Sequence, residues 1–153
     1  MCGIIGITSS KEVTNRIINS LKKLEYRGYD SAGLATSTNG KINEVKCMGR
    51  VEELEKNILQ TNVSGNIGIG HVRWATHGKP SPENAHPHTS EKVSIVHNGI
   101  IENSTILKKV LENKGYKFKS QTDTEVIVHL ITENLKTDDI VNSIKKTLKS
   151  VLL

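Results

Sequence analysis

An α+β domain with antiparallel strands is the fold class that this sequence predicts. Three observations carry that expectation. The chain has 153 residues, the size of one domain. Strand-like and helix-like apolar patterns mix along it without the strict alternation that a parallel sheet requires. Asn39-Gly40, set between two strand-like runs, is the strongest short hairpin signal and makes those two runs antiparallel neighbours.

Each element follows from local pattern. The apolar run Ile4 to Ile7 has strand length and opens the chain directly after Met1-Cys2-Gly3. From Glu12 to Tyr26, Val13, Ile17, Leu21 and Leu24 fall three or four apart, one stripe of an amphipathic helix. Gly33–Thr38 and Ile42–Cys47 are the arms of the hairpin. Val51, Leu54 and Ile58 predict a second helix over 51–59. Ile67–Trp74 reads as a strand, followed by a polar stretch to Lys92 that holds Pro80, Pro82 and Pro87. Val93–His97 reads as another strand and ends at Asn98-Gly99.

Asn103 or Ser104 is placed to cap a helix whose Ile106, Leu107, Val110 and Leu111 face inward, with Gly115 as its stop. Thr122-Asp123-Thr124-Glu125 has capping-box spacing ahead of Val126, Ile127, Leu130 and Ile131. A last helix is expected from Thr137 or Asp138, with Ile140, Val141, Ile144 and Leu148 as its apolar stripe. Val151-Leu152-Leu153 closes the sequence without a polar tail, the signature of a cut chain or a buried terminus. A cut chain leaves that last stripe facing solvent or a second molecule.

Composition narrows the function classes. Lys+Arg 21 against Asp+Glu 16 gives +5, but aromatics are only 3 %, so stacking platforms for single-stranded nucleic acid are scarce. The expectation is no nucleic-acid partner. No apolar run approaches the ~18–20 residues of a membrane span, and no secretory signal is visible. Two cysteines, Cys2 and Cys47, do not make a disulfide framework. A cytoplasmic chain without membrane contact is expected.

Cys2 is the first chemical candidate. Removal of Met1 leaves one residue carrying both a thiol and a free α-amine. These groups titrate near ~8.5 and ~7.7–8.0, so the amine can take the thiol proton at a cost of only about 1 kcal/mol. An N-terminal nucleophile with its own amine as base is an established arrangement. The competing reading is a small hydrophobe at the start of a strand. A nucleophile also needs an oxyanion hole, and Asn98-Gly99 offers a side-chain amide and an unobstructed backbone N–H. The competing reading there is a type I′ turn. Arg73, one of four arginines, leaves a strand into a polar loop and suits a bidentate grip on a carboxylate; a surface ion pair is the alternative. His71, His77, His86, His88 and His97 crowd one stretch, yet no His-Glu-x-x-His or paired Cys-x-x-Cys accompanies them, so no metal is expected.

Six strings carry a family resemblance. They are Cys2-Gly3-Ile4-Ile5-Gly6, the segment Leu24 to Gly33 (LEYRGYDSAG), Gly70 to Gly78 (GHVRWATHG), Asn84 to His88 (NAHPH), Val96 to Asn103 (VHNGIIEN) and Thr122 to Glu125 (TDTE). Together they resemble class II glutamine amidotransferases, and within that class the glutaminase domains of glutamine–fructose-6-phosphate aminotransferases. The Arg-Gly-Tyr-Asp-Ser and Arg-Trp-Ala-Thr-His-Gly strings make the distinction. Amidophosphoribosyltransferases and asparagine synthetases share the Cys-Gly start but depart from both.

The resemblance implies an N-terminal nucleophile hydrolase fold of four layers, αββα, with antiparallel sheets. It implies that Cys2 attacks the glutamine side-chain amide to form a glutamyl thioester, with its α-amine as base and Asn98 and Gly99 as oxyanion hole. Arg73, Thr76 and His77 match the grip on the glutamine α-carboxylate, and Asp123 with His86 the grip on the α-amine. From the residues alone, Asp123 reads as an acid at a helix N-terminus, which the helix dipole favours. Arg27 and Trp74 fall where the family closes the site and leads ammonia onward. No cofactor is implied.

The family's glutaminase domain runs beyond 153 residues and is joined to a sugar isomerase domain. Residues 1–153 are therefore expected to be the N-terminal part of one glutamine amidotransferase type 2 domain, incomplete at the C-terminus. The isomerase partner, which turns fructose-6-phosphate into glucosamine-6-phosphate in hexosamine biosynthesis, is expected to be absent, and the full-length enzyme to be a homo-oligomer. The alternative is a non-catalytic remnant that binds glutamine or a synthase subunit.

Overall fold

The computed structural model describes residues 2–74 and 79–152. Four strands form the principal sheet: β1 (Gly3–Thr8), β2 (Ser31–Thr38), β3 (Lys41–Met48) and β4 (Ile67–Arg73), in the order β1-β4-β2-β3 and antiparallel throughout. The β2–β3 turn has Asn39 at φ 50° and Gly40 at φ 77°, the left-handed pair that a type I′ hairpin demands. Helices α1 (Thr14–Leu24) and α2 (Val51–Ile58) cover one face of this sheet. Their stripes supply Val13, Ile17, Ile18, Leu21, Val51 and Leu54 to a core completed by Ala32, Leu34, Val45, Cys47, Val63 and Val72. A short 3-10 turn, Glu25–Arg27, ends α1.

The other face carries a two-stranded ladder, β5 (His88–Thr89) with β6 (Ser94–Ile95), and beyond it α3 (Ser104–Asn113), α4 (Glu125–Asn134) and α5 (Ile140–Ser150). Thr89 Oγ1 donates to Glu44 of β3, tying the ladder to the main sheet. Helix, sheet, small ladder and helix thus follow one another as layers. No helix among the described residues is long and apolar enough to cross a membrane.

Several expectations need correction. The strand expected over 93–97 contracts to Ser94–Ile95, because its partner is only the two residues of β5 inside the polar stretch. In α3 only Leu111 is buried; Ile106 and Val110 are 67 % and 47 % exposed. The Thr122–Glu125 capping box does not form. Thr122 Oγ1 instead bonds His88 Nε2 at 2.8 Å, and Glu125 accepts from the backbone N–H groups of Lys119 and Ser120 at 2.9 and 2.7 Å. Helix α5 starts later than expected, at Ile140, because Asp139 is its cap and accepts from Val141 N–H at 2.9 Å and Asn142 N–H at 3.1 Å. Its stripe does face water: Ile140, Val141, Ile144 and Leu148 are all exposed, while Ser143 and Thr147 are buried on the inward face. Asn134 of α4 bonds both Ser143 O and Thr147 Oγ1.

Candidate active site

Strand register builds one wall of a cavity. Gly3 of β1 pairs with Val72 of β4, so Cys2 lies beside the end of β4. There the Trp74 backbone N–H donates to Cys2 Sγ at 3.2 Å, and the thiol faces the Trp74 carbonyl at 3.5 Å. Because strand side chains alternate, His71 and Arg73 point away from the core that Val72 enters. Arg73 is 4 % exposed, with Nη1 3.6 Å from Asp30 Oδ1. Ser31 Oγ donates to that same oxygen at 2.7 Å, and Asp30 N–H donates to the Arg73 carbonyl at 2.8 Å.

The facing wall comes from His86 and the segments at 97–100 and 122–124. Gly33 lets the first of them lie directly on β2, since a Cβ there would stand 2.2 Å from the His86 carbonyl oxygen. The His86 ring stacks on His71 with centroids 4.4 Å apart and meets His88 edge-on at 4.7 Å. His97 bonds Thr124 Oγ1 through Nδ1 at 3.2 Å, and its backbone N–H donates to His86 Nδ1 at 3.4 Å. Asn98 Oδ1 lies 2.8 Å from His71 Nε2. Asp123 Oδ2 accepts from the Ile101 N–H at 2.6 Å. Gly28 sits at φ +111°, and a Cβ on it would be 2.6 Å from the Trp74 indole, so the ring rests against bare backbone.

Burial keeps His71, His86 and His88 neutral. It lowers His71 to about 4 and His88 to about 3, and it drives His86 lower still, helped by the neighbouring His71 and His88. Among the described residues, no three His, Cys, Asp or Glu side chains converge as metal ligands. The other thiol lies elsewhere: Cys47 is buried, donates to the Arg50 carbonyl at 3.5 Å and is raised by burial to about 11.

Cys2, Arg27, Arg73, Trp74, His86, Asn98, Gly99 and Asp123 all line one cavity of about 620 Å³. Thr76 and His77 lie outside the described residues. Neither Asn98 nor Gly99 has positive φ, so the type I′ turn reading of that dipeptide fails. Sequence reasoning missed His71, His97, Ile100, Thr122 and Thr124 as lining residues. A signal existed for His71, because it stands two positions before Arg73 on one strand and so shares its face. Chemically, the cavity offers a thiol, a guanidinium, a carboxylate, amide groups and neutral imidazoles. That set suits a small zwitterion presenting an electrophilic carbon to sulfur.

Comparison with known proteins agrees with this chemistry. Residues 71–147 match the family model described as a glutamine amidotransferase domain. The chain is 58 % identical over 148 residues to the glutamine–fructose-6-phosphate aminotransferase (isomerizing) of Francisella tularensis, covering 95 % of this chain and 24 % of that protein. It is 46 % identical over 153 residues to the Haemophilus influenzae enzyme of the same name, covering 99 % and 25 %. It thus spans about a quarter of the length of these curated relatives. Among solved structures, the glutamine phosphoribosylpyrophosphate amidotransferase of B. subtilis, complexed with ADP and GMP, superposes with a TM-score of 0.82 at 31 % identity. That match covers 99 % of this chain and 33 % of the other. The fold is that of the N-terminal nucleophile hydrolases, and the chain belongs to the glutamine amidotransferase domain family.

Proposed function

We propose that residues 1–153 form a glutamine amidotransferase type 2 unit, the glutamine-hydrolysing part of a glutamine–fructose-6-phosphate aminotransferase. Glutamine enters with its α-carboxylate on Arg73, joined by Thr76 and His77, and its α-amine toward Asp123 and His86. Cys2, freed of Met1, passes its thiol proton to its own α-amine and attacks the side-chain amide carbon. The resulting oxyanion is held by the Asn98 carboxamide and the Gly99 N–H. Collapse expels ammonia, which takes the proton back from the amine, and leaves a glutamyl thioester on Cys2. Water then cleaves the thioester to glutamate. Arg27 and Trp74 close the cavity and direct ammonia to a sugar isomerase domain or subunit, where fructose-6-phosphate becomes glucosamine-6-phosphate. The complete enzyme is a cytoplasmic homo-oligomer in this reading.

One observation carries the proposal: Cys2 lines the same cavity as Arg73, Asn98, Gly99 and Asp123. The test compares two cysteines. Cys2→Ala is expected to abolish glutamate release from glutamine, while Cys47→Ala retains most of it. Intact-mass analysis after an electrophilic glutamine analogue should place a single adduct on Cys2 in chains that have lost Met1. Equal losses from both substitutions, or an adduct on Cys47, would contradict the assignment.

A further inference from the structure

His71 is the most enclosed titratable group of the cavity, 1 % exposed, and none of the steps above uses it. Its Nε2 stands 2.8 Å from Asn98 Oδ1, and its ring lies on that of His86 at 4.4 Å and 18°. Among the described residues its Nδ1 has no hydrogen-bond partner. Burial makes the ring neutral, so it holds one proton. With that proton on Nδ1, a buried donor is orphaned, and Asn98 has to turn its amide over to donate to Nε2. With the proton on Nε2, only a lone pair is orphaned, and Nε2–H donates to Asn98 Oδ1. Orphaned buried donors are the rarer of the two, which selects the second arrangement.

This choice decides what Asn98 shows the cavity. A carboxamide has an accepting end and a donating end, and only the donating end stabilises an oxyanion. With Oδ1 occupied by His71, the Nδ2 end carries no bond among the described residues and is left for the cavity. We propose that His71 is a positioning residue: its Nε2–H fixes the Asn98 carboxamide with the N–H₂ end toward the oxyanion formed at Cys2. The inference rests on the glutaminase reading for its chemistry and on His71 and Asn98 alone for its geometry.

Kinetics and spectroscopy test it separately. His71→Leu fills the site without a donor and should lower kcat roughly 10- to 100-fold with KM within about 3-fold, below the ~10²–10³ lost with an oxyanion donor itself. His71→Gln carries an amide N–H near the ring Nε2 position and should recover kcat to within about 3-fold of the unsubstituted chain. A leucine variant with unchanged kcat, or a glutamine variant no better than leucine, overturns the role. In the unsubstituted chain labelled with ¹⁵N-histidine, His71 should be the neutral Nε2–H tautomer at pH 7, its signal shifting in Asn98→Ala. An Nδ1–H tautomer overturns the proposal whatever the turnover. A chain that hydrolyses no glutamine overturns the glutaminase reading instead, and the tautomer then decides the His71–Asn98 pairing by itself.

Discussion

Arg73 is as buried as the core valines yet carries a full charge, and that combination sets its chemistry. Asp30 at 3.6 Å compensates the charge in part, so the guanidinium is held in place before any ligand arrives. A preorganised fork of this kind grips a carboxylate through two parallel bonds, which a lysine ammonium cannot reproduce. Arg73→Lys is therefore expected to raise the glutamine KM about 10- to 100-fold, matching the ~1.5–3 kcal/mol of a charge-assisted hydrogen bond. Steady-state kinetics checks this, and an unchanged KM would place Arg73 outside the grip. Residue types alone pointed to Cys2, Arg73 and Asn98-Gly99, because a thiol beside an amine, a rare arginine and a Cβ-free amide are visible one position at a time. Asp123 was legible only as a helix-terminal acid. Its bond to Ile101 N–H depends on a contact across 22 positions, which no local pattern encodes.

At the scale of elements, helix periodicity was readable wherever the partner layer is present. The stripes of α1 and α2 are buried as their spacing predicts, since the principal sheet lies against them. The α3 and α5 stripes have correct helical spacing but no layer over most of them, so period and burial part company. The start of α5 lies two or three residues beyond the expected one because Thr137, Asp138 and Asp139 are all capping types, and only the backbone turn selects among them. Asp139→Ala removes two bonds to the N-terminal N–H groups of α5 and should lower stability by about 1 kcal/mol. Urea unfolding checks it through a lower midpoint at constant slope; Asp138→Ala, which lies outside the helix, should fall short of that.

For the whole molecule, acid is the revealing variable. Unfolded histidines titrate near ~6.5, whereas His71 and His88 in the fold lie at about 4 and about 3. Below pH ~6.5 the unfolded chain thus binds more protons than the folded one, and stability falls as pH drops. His71 alone removes on the order of 3 kcal/mol by pH 4, a large part of a domain's ~5–15 kcal/mol. Glu125 adds loss further down. Burial pushes its carboxyl up, but the His129 ring 3.5 Å away and hydrogen bonds from Lys119 and Ser120 hold it at about 2, so its contribution fades as pH falls from 4.5 toward 2. Thermal melts should therefore be flat between pH 7 and 8 and drop steeply below pH 6. A Tm unchanged down to pH 4 would mean that the histidine stack opens to water in the native state. The α+β class and the β2–β3 pairing were legible from the mixture of periods and the Asn-Gly hairpin, whereas the layer order was implied only by the family resemblance. The meeting of the histidines was not legible, because it requires β4, the 86–88 segment and α4 to be packed first.

The end of α5 is fastened to the segment that follows Asn98-Gly99. Asn103 Nδ2 donates to the Ser150 carbonyl at 2.8 Å, Leu152 N–H to Asn103 Oδ1 at 3.0 Å, and Glu102 N–H to the Leu152 carbonyl at 2.9 Å. Mechanically this makes α5 a strut, pinned to α4 through Asn134 and to residues 102–103 at its tip. Ile101, immediately before that joint, is itself tied to Asp123. A load applied to the water-facing side of α5 is therefore carried into the backbone three to five residues from the amide donors, so whatever comes to rest on that helix pushes on one wall of the cavity without entering it.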